Sequence, residues 1–367
     1  MPVRLLLQTR TMFIAILVFF AQPAAAQIQD STARLQRIAD GVYTIIHDDA
    51  TDVWPHGNTG VVVGGSGVLV VDATYLPSRA RADIALIRRI TDKPVRWLVN
   101  THWHFDHNNG ASAYRDAFPG LTVVSERETA RWIELNQTWW ARMSTAPGSA
   151  RRAGLDTLEQ RLASGKDSAG AALTTEARRR LAVAIRQRRN ELDALGSLRV
   201  VTPGLVFDRE LVLDLGDGRR VVLEDRGRAN SPHDVTVYLP AERVLFTGDI
   251  LVQSPLPYSG ASWPVPWIDV LRRLETIPVE AVVPGHGPVL RDHGYTRQVR
   301  ALMEAVTSRV DSLARRGLTL DRIQAVIDLD DVRRAVPVWQ GTELDADWKF
   351  TVTTLTERAW RGVRGQG

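Results

Sequence analysis

The sequence predicts an α/β protein in which two strand-rich halves form a β-sandwich with helices on both faces. Strand-like runs occupy much of residues 40–125 and return after residue 197. Between them, residues 126–197 are rich in Ala, Leu, Arg and Glu, which predicts a helical insertion. Residues 40–290 thus predict one sandwich domain, and residues 291–367 predict a helical C-terminal extension.

Runs of β-branched and aromatic residues define the strands of the first half. The run GVVVGGSGVLVVDA, residues 60–73, predicts two strands joined by a Gly-Gly-Ser-Gly turn. Residues 76–90 carry apolar side chains among arginines, which indicates a helix. Pro94 ends that helix, and VRWLVN, residues 95–100, predicts a buried strand.

Local signals also mark the elements of the insertion and of the second half. Ser125 and Glu128 have the spacing of a capping box, which predicts a helix start. Pro-Gly at 147–148 and Ser-Gly at 164–165 divide the insertion into pieces. In the second half, Gly-Asp-Gly at 216–218 predicts a hairpin turn, and VTVYLP, RVLFTGD and VEAVVPGHG predict further strands.

Composition restricts the chemistry that the chain can perform. There is no cysteine, which excludes disulfides, thiolate nucleophiles and cysteine-based metal sites. A metal would therefore be held by His, carboxylate or amide groups, which zinc accepts. The formal charge is +4, but the arginines are spread along the chain, so we expect a small-molecule substrate and no nucleic-acid partner.

The N-terminus has the three-part pattern of a secretory signal, which predicts export to the periplasm. Arg4 and Arg10 give a basic start, residues 12–21 are apolar, and three alanines end at Ala26. The apolar run is about half the roughly 20 residues that span a bilayer, so no stable membrane anchor is expected. We predict a signal peptide over residues 1–26, with an uncleaved anchor as the alternative.

The strongest chemical signal is NTHWHFDHNNG, which directly follows the predicted strand VRWLVN. In an extended segment, residues two apart point the same way, so His102, His104 and Asp106 can converge. His107 lies on the other side, where the chain turns toward a helix. The pattern predicts two adjacent metal ions, with two imidazoles on one and Asp106 with His107 on the other. A solvated polar loop is the alternative.

HWHFDH matches the His-x-His-x-Asp-His signature, and the chain thereby resembles the metallo-β-lactamase superfamily. LFTGD, residues 245–249, resembles the strand end that supplies a bridging aspartate. VVPGHG, residues 282–287, resembles the loop that supplies a last histidine, and residues 60–74 resemble the opening hairpin. The resemblance covers residues 40–290 and implies an αββα sandwich with a metal site at one edge.

The resemblance also implies a role for each candidate ligand. The implied ligands are His102 and His104 for a first metal, Asp106, His107 and His286 for a second, and Asp249 as a bridge between the two.

One stretch departs from the family pattern, which usually places a third first-site histidine in Gly-x-x-His-Thr-x-Gly-Asp. In this chain, residues 227–234 have Asn230 at the position of that histidine and His233 at the position of a glycine. Three alternatives follow for the first site. Asn230 or water completes it, which the alignment favours; His233 takes the place of the histidine; or neither side chain binds metal.

Together these features predict a zinc-dependent hydrolase that binds one or two ions. A metal-activated water would attack an ester, lactone, thioester or lactam, with Asp106 holding or accepting its proton. One alternative is a non-catalytic metal- or ligand-binding protein of the cell envelope. Another is a nuclease or phosphoesterase of the same superfamily. The sequence gives no prediction of the oligomeric state.

The remaining polar and aromatic candidates carry weaker signals. Asp72 ends a strand and is predicted to be a structural hydrogen-bonding group. Three histidines without a partner pattern are predicted to lie at the surface or in loops: His47, His56 and His293. Five aromatic residues either pack in the core, which helical spacing favours, or line a cleft, in which case the first two belong to a lid: Trp139, Trp140, Tyr258, Trp263 and Trp267.

Overall fold

Two β-sheets form the centre of the fold in the computed structural model, which describes residues 33–47, 56–253 and 256–365. The first sheet has seven strands in chain order; the first four are antiparallel, and the later pairs are parallel. These strands are β1 (Ala33–Ala39), β2 (Val42–His47), β3 (Thr59–Val63), β4 (Val68–Val71), β5 (Val95–Val99), β6 (Thr122–Glu126) and β7 (Leu205–Phe207).

The second sheet has five strands in the order β12-β11-β10-β9-β8. Its neighbours are antiparallel except β11 and β12, which are parallel. The strands are β8 (Glu210–Asp214), β9 (Arg220–Asp225), β10 (Val235–Leu239), β11 (Val244–Val252) and β12 (Ala281–His286). The predicted Gly-Asp-Gly turn joins β8 to β9, where Asp214 pairs with Arg220.

In the described part of the chain, the helices lie between strands and after the last strand. The α-helices are α1 (Pro77–Ile87), α2 (Phe105–Asn108), α3 (Ala111–Ala117), α4 (Arg127–Thr145), α5 (Ala150–Ser164), α6 (Thr175–Gly196), α7 (Pro264–Leu274), α8 (Gly294–Arg315), α9 (Leu320–Val326), α10 (Asp330–Arg334) and α11 (Asp345–Val363). Two short 3₁₀ helices lie at Pro337–Trp339 and Thr342–Leu344.

Three apolar cores hold the layers together. The inner core joins the two sheets through side chains such as Leu69 and Leu223. A second core packs α1 and α3 on the outer face of the first sheet, with Tyr114 buried there. A third packs α7, α8 and α11 on the second sheet, around Trp267 and Trp339. This confirms the predicted αββα sandwich.

The helical insertion lies between β6 and β7 and consists of α4, α5 and α6. Its breaks fall at the two predicted pairs, and Gly165 ends α5 with a positive φ of 68° that favours glycine. The capping residue of α4 is different from the prediction. Glu126 accepts the hydrogen bond from the Thr129 N–H at 2.8 Å, while Ser125 lies in β6. A carboxylate near a helix N-terminus also stabilises the helix dipole.

The residues after β12 are helical, as predicted, and α8 shares the third core with the second sheet. The sandwich also begins earlier than predicted, because β1 starts at Ala33. That strand has no fully buried residue, and its exposed and partly buried positions do not alternate regularly, which explains its weak sequence signal. The proposed signal segment, residues 1–26, lies outside the described residues. Among the described helices, none combines the length and apolarity needed to cross a membrane.

Candidate metal centre

The segment after β5 brings four candidate ligands into the interior. His102 and His104 lie in the loop between β5 and α2, and His104 keeps an extended backbone directly before the helix. Asp106 and His107 lie in α2 itself. All four are buried. The alternation expected of an extended segment therefore applies to the two histidines of the loop, whereas a helical turn sets Asp106 and His107.

The parallel strands β11 and β12 supply the other two candidate ligands. Asp249 lies within β11, and His286 ends β12. Gly285 allows their approach, because a Cβ at that position would lie 2.0 Å from Asp249 Oδ1. The glycine of the PGHG stretch thus leaves room for a carboxylate from the neighbouring strand.

These side chains form two groups that share one carboxylate. In each group, one candidate ligand atom per residue lies within 4.8 Å of all the others. The first cluster is His102, His104 and Asp249, and the second cluster is Asp106, His107, Asp249 and His286.

In the first cluster, the two imidazoles face each other beside the shared carboxylate. His102 Nε2 lies 2.9 Å from His104 Nδ1 and 3.7 Å from Asp249 Oδ2. Only one carboxylate contributes charge here, because Asp106 belongs to the second cluster. A cation in this position would gain two neutral nitrogen ligands and a single negative oxygen.

The second cluster is more acidic and equally compact. His107 Nε2 lies 3.2 Å from both His286 Nε2 and Asp249 Oδ1. His286 Nε2 lies 3.1 Å from Asp106 Oδ2. Two imidazole nitrogens therefore face each other between two buried carboxylates, which is a donor set that zinc accepts.

Asp72 orients both clusters from one position at the end of β4. Its Oδ1 accepts the Thr101 N–H, and its Oδ2 accepts the Thr101 hydroxyl, both at 2.8 Å. Thr101 Oγ1 lies 3.0 Å from His102 Nδ1, and Asp72 Oδ2 lies 2.9 Å from His107 Nδ1. A carboxylate behind a ligating imidazole fixes its tautomer and orientation. The structural role predicted for Asp72 thus includes positioning an imidazole in each cluster.

The two clusters differ in the protonation of their imidazoles. Burial, followed by the charges of neighbouring histidines, holds the pKa of His102 well below its usual value. Burial also lowers the pKa of His104. For His107, burial opposes protonation, but Asp249, Asp106 and Asp72 outweigh it and raise the pKa well above its usual value. The carboxylates around His107 therefore favour a positive charge at the second cluster, whereas burial disfavours one on the imidazoles of the first.

Asn230 lies in the buried loop between β9 and β10. Its amide Nδ2 donates to the carbonyl of Tyr258 at 2.9 Å. Its Oδ1 is buried and has no hydrogen-bond partner in the described part of the chain. A buried oxygen without a donor is costly, and a cation or water would satisfy it.

His233 makes a different set of contacts. Its Nδ1 lies 3.1 Å from Asp225 Oδ2, and its side chain is half-buried. That hydrogen bond raises the pKa of His233. His233 belongs to neither cluster among the described residues. The structure therefore brings together the six ligands of the main prediction and places His233 in an ion pair instead.

Aromatic side chains surround the first cluster. The ring of Tyr258 packs edge-on against His104 at 5.7 Å, and Trp103 packs against His104 at 4.7 Å. Trp140 stacks on Phe105 at 3.9 Å, which joins the insertion to the metal-binding loop. Trp267 is fully buried in the third core, so of the two alternatives the core holds for this residue.

Of the remaining histidines, His56 and His293 lie in loops, as predicted, whereas His47 lies in β2. All three are buried, so none lies at the surface. His47 Nε2 lies 3.2 Å from Asp83 Oδ2. Burial and then the charge of His47 lower the pKa of His56 to about 3, so this imidazole is neutral. These contacts join residues that are far apart in the chain, so no local sequence motif predicts them.

The donor set fits a metal centre. Asp106 and Asp249 are buried carboxylates surrounded by imidazoles, and burying such charges without a counter-charge is costly. Asp72 supplies an orienting carboxylate behind an imidazole of each cluster. Two adjacent clusters sharing Asp249 could hold two cations.

Comparison with known proteins assigns the family. Residues 52–286 match the sequence profile of the Metallo-beta-lactamase superfamily. The chain therefore belongs to the metallo-beta-lactamase superfamily, a family of metal-dependent hydrolases, and the resemblance inferred from the HWHFDH motif is confirmed.

Relatives within the superfamily include alkylsulfatases. The chain is 25% identical over 276 residues to a linear primary-alkylsulfatase of Pseudomonas sp., covering 72% of this chain and 48% of that protein. The chain thus spans about half the length of this curated relative.

Solved structures share the fold at lower identity. The sec-alkylsulfatase Pisa1 from Pseudomonas sp. aligns with a TM-score of 0.62 and 18% identity, over 90% of this chain and 50% of that one. A metallo-beta-lactamase from Pontibacter korlensis aligns with a TM-score of 0.53 and 17% identity, over 74% and 99% of the respective chains. At these identities the likeness concerns the fold.

Proposed function

We propose that this chain is a zinc-dependent hydrolase whose reaction takes place at the first and second clusters. The observation that carries the proposal is the convergence of six buried imidazole and carboxylate side chains on two positions that share Asp249. Membership of the metallo-beta-lactamase superfamily supports the same chemistry.

In this proposal, some residues of the site bind the metal ions and another takes up the proton of the attacking water. Zinc in these clusters supplies Lewis acidity, which lowers the pKa of water toward about 7 and polarises a substrate oxygen. The four histidines would hold the two ions, with Asp249 between them. Asp106, whose Oδ2 lies beside His286, would hold or accept the proton of the attacking water.

For the substrate, we propose an ester-type bond in a small molecule. Carboxylic esters, lactones, thioesters and lactams are the candidates from the sequence. The similarity to a linear primary-alkylsulfatase supports adding sulfate esters of alkyl chains to them. Tyr258, whose ring packs on His104 and is 40% exposed, lies where a substrate would reach the first cluster.

For the location, we propose that the protein is exported to the periplasm, on the basis of the signal-like residues 1–26. We propose no nucleic-acid partner. Salt-sensitive binding of DNA or RNA by the purified protein would contradict that view and favour a nuclease.

The test is metal-dependent turnover on a substrate panel. The purified protein is stripped with a chelator, assayed on an alkyl sulfate, a carboxylic ester, a lactone, a thioester, a β-lactam and a phosphodiester, and assayed again after adding zinc. We expect turnover of at least one ester-type substrate that zinc restores. Turnover that survives complete metal removal would contradict the proposal.

A second candidate function is non-catalytic metal binding, which the replacement of the usual third histidine by Asn230 favours. An amide oxygen is a weaker zinc ligand than an imidazole, so in this candidate function the first cluster lacks the affinity that catalysis needs. Stoichiometric zinc binding without turnover on any member of the panel would support this candidate over the hydrolase.

A further inference from the structure

A row of exposed apolar side chains lies along one face of α4. Trp132, Leu135, Trp139 and Met143 are 37%, 61%, 60% and 54% exposed, although all are large and apolar. Spacings of three and four residues place them on one side of the helix, over a length of about 16 Å. We call these four residues the apolar stripe. A contiguous exposed apolar surface of this kind marks a binding site.

The apolar stripe is continuous with the first cluster. The ring of Trp103, which lies between His102 and His104 in the chain, is 5.6 Å from the ring of Trp132 and 4.7 Å from that of His104. Aromatic rings therefore connect a candidate metal ligand to the start of the apolar stripe.

A second contact fixes α4 against the metal centre. The hydroxyl of Thr129, one turn before Trp132, donates to the backbone carbonyl of His233 at 3.0 Å. His233 belongs to the loop between β9 and β10, so this partly buried hydrogen bond ties α4 to that loop. The position of the apolar stripe relative to His104 is set by the packing of Trp132 on Trp103 and of Trp103 on His104.

We infer that the apolar stripe binds the unbranched hydrocarbon chain of the substrate while the hydrolysable group lies at the two clusters. This inference rests on the proposed function and adds the chemical class of the substrate tail. Indole and aliphatic side chains can bury a hydrocarbon chain away from water, and they require no polar group on that chain. The apolar stripe would therefore select for chain length.

The continuity with Trp103 favours a substrate chain over a second copy of this protein. A protein surface seated on the apolar stripe would extend over Trp103 and the side of His104, where the substrate must arrive. A narrow hydrocarbon chain can follow the same row of side chains and leave the approach to the clusters open.

The first test is the dependence of kcat/KM on chain length. Linear alkyl substrates that share the hydrolysable group found active in the panel are compared in the wild-type protein and in a Leu135→Ser, Trp139→Ser double variant. We expect kcat/KM to rise about two- to fourfold per added methylene in the wild type, as burial of a methylene predicts. The double variant should lose at least half of that slope on a logarithmic scale.

The matched control is Val326→Ser, an apolar residue on α9 that is 57% exposed, close to the 61% of Leu135. It should keep the wild-type slope. An unchanged slope in the double variant, or an equal loss in the control, would overturn the inference while leaving the hydrolase proposal intact. Loss of self-association in the double variant, with an unchanged slope, would assign the surface to a second copy.

A binding measurement decides the inference even if no substrate is turned over. Calorimetry follows 1-octanol and 1-butanol binding to the zinc-loaded wild-type protein, the double variant and the control. We expect 1-octanol to bind the wild type and Val326→Ser at least tenfold more tightly than it binds the double variant, with little binding of 1-butanol. Equal 1-octanol affinity in all three proteins would contradict a chain-binding role.

Discussion

The first and second clusters share Asp249, yet they hold cations in different ways. The first cluster has two imidazoles of lowered pKa and one shared carboxylate. The second cluster has two buried carboxylates, and its His107 has a raised pKa. The first cluster therefore offers a cation one carboxylate, whereas the second offers two.

This difference predicts unequal metal affinities. Two carboxylates attract a divalent cation more strongly than one, and buried charges are screened little by water. The second cluster should therefore fill first. The first cluster should fill at higher zinc concentration, because its fourth position offers an amide or water in place of an imidazole.

Removal of the shared carboxylate should have the largest effect. In Asp249→Ala we expect both clusters to lose zinc and kcat/KM to fall about 10³-fold or more, because the Lewis acid that lowers the barrier is lost. Metal analysis and turnover of the same sample measure both effects. Asp330→Ala, an exposed carboxylate on α10, is the control and should match the wild type. Retention of both zinc ions in Asp249→Ala would refute the assignment of a bridge.

Loss of the orienting carboxylate should affect both clusters to a smaller degree. Asp72 has a φ of 61°, which Asn also tolerates, so Asp72→Asn should keep the backbone while weakening the hold on Thr101 and His107. Zinc affinity should fall about 10- to 100-fold, as for other partners behind ligating imidazoles. Competition with a chelator of known affinity measures this. If zinc affinity falls at only one cluster, Asp72 does not position ligands in both.

Replacing Asn230 by histidine should bring the zinc affinities of the two clusters closer together, because it restores the imidazole that the family pattern has at this position. In Asn230→His we expect zinc to bind the first cluster about tenfold more tightly, since an imidazole is a better zinc ligand than an amide. Titration with zinc should then show two steps that lie closer together. His233→Ala should leave both steps where they are in the wild type. If zinc binding changed in His233→Ala and not in Asn230→His, His233 would be the ligand of the first cluster and Asn230 would not.

The loop that carries Asn230 should make stability depend on pH. Burial, the largest cause, raises the pKa of Asp234 from 3.8 to about 8, while its Oδ2 accepts the Ser231 N–H. The folded state therefore binds this proton more tightly than the unfolded state. Its contribution is complete below the unfolded pKa and is lost as pH rises toward the folded pKa.

The expected slope from Asp234 is about 1.4 kcal/mol per pH unit between these two pKa values, which corresponds to one proton. Urea unfolding of the metal-free protein at several pH values, compared with Asp234→Asn, measures it. The variant should show a flatter profile in this range. Parallel profiles for the two proteins would mean that Asp234 is ionised in the fold.

The local part of the centre could be predicted from the sequence, and the long-range part could not. The ligands of HWHFDH follow a strand within a few residues, and VVPGHG ends its strand in a recognisable way. LFTGD is recognisable as a strand segment, but the strand continues past Asp249 to Val252. The helical insertion was equally visible, because residues 126–197 are rich in Ala, Leu, Arg and Glu. By contrast, the link from Asp72 to both clusters depends on tertiary contacts that no spacing reveals.

Other differences between the sequence predictions and the structure also arise from contacts between residues that are distant in the chain. Trp267 lies at helical spacing, and the sequence could not decide between a cleft and a core; packing of α7 on the second sheet buries it. His47 and His56 became buried because Asp83 and Thr74 offer hydrogen-bonding partners from other elements. The partners of a polar residue decide whether it can be buried, and these partners are distant in the chain.

The most direct test of the metal centre is anomalous diffraction from crystals grown at graded zinc concentrations. The account predicts a strong zinc peak among Asp106, His107, Asp249 and His286 at low zinc, and a second, weaker peak beside His102, His104 and Asp249 at higher zinc. No peak between these side chains at high zinc, or a peak elsewhere that accounts for all bound metal, would contradict it.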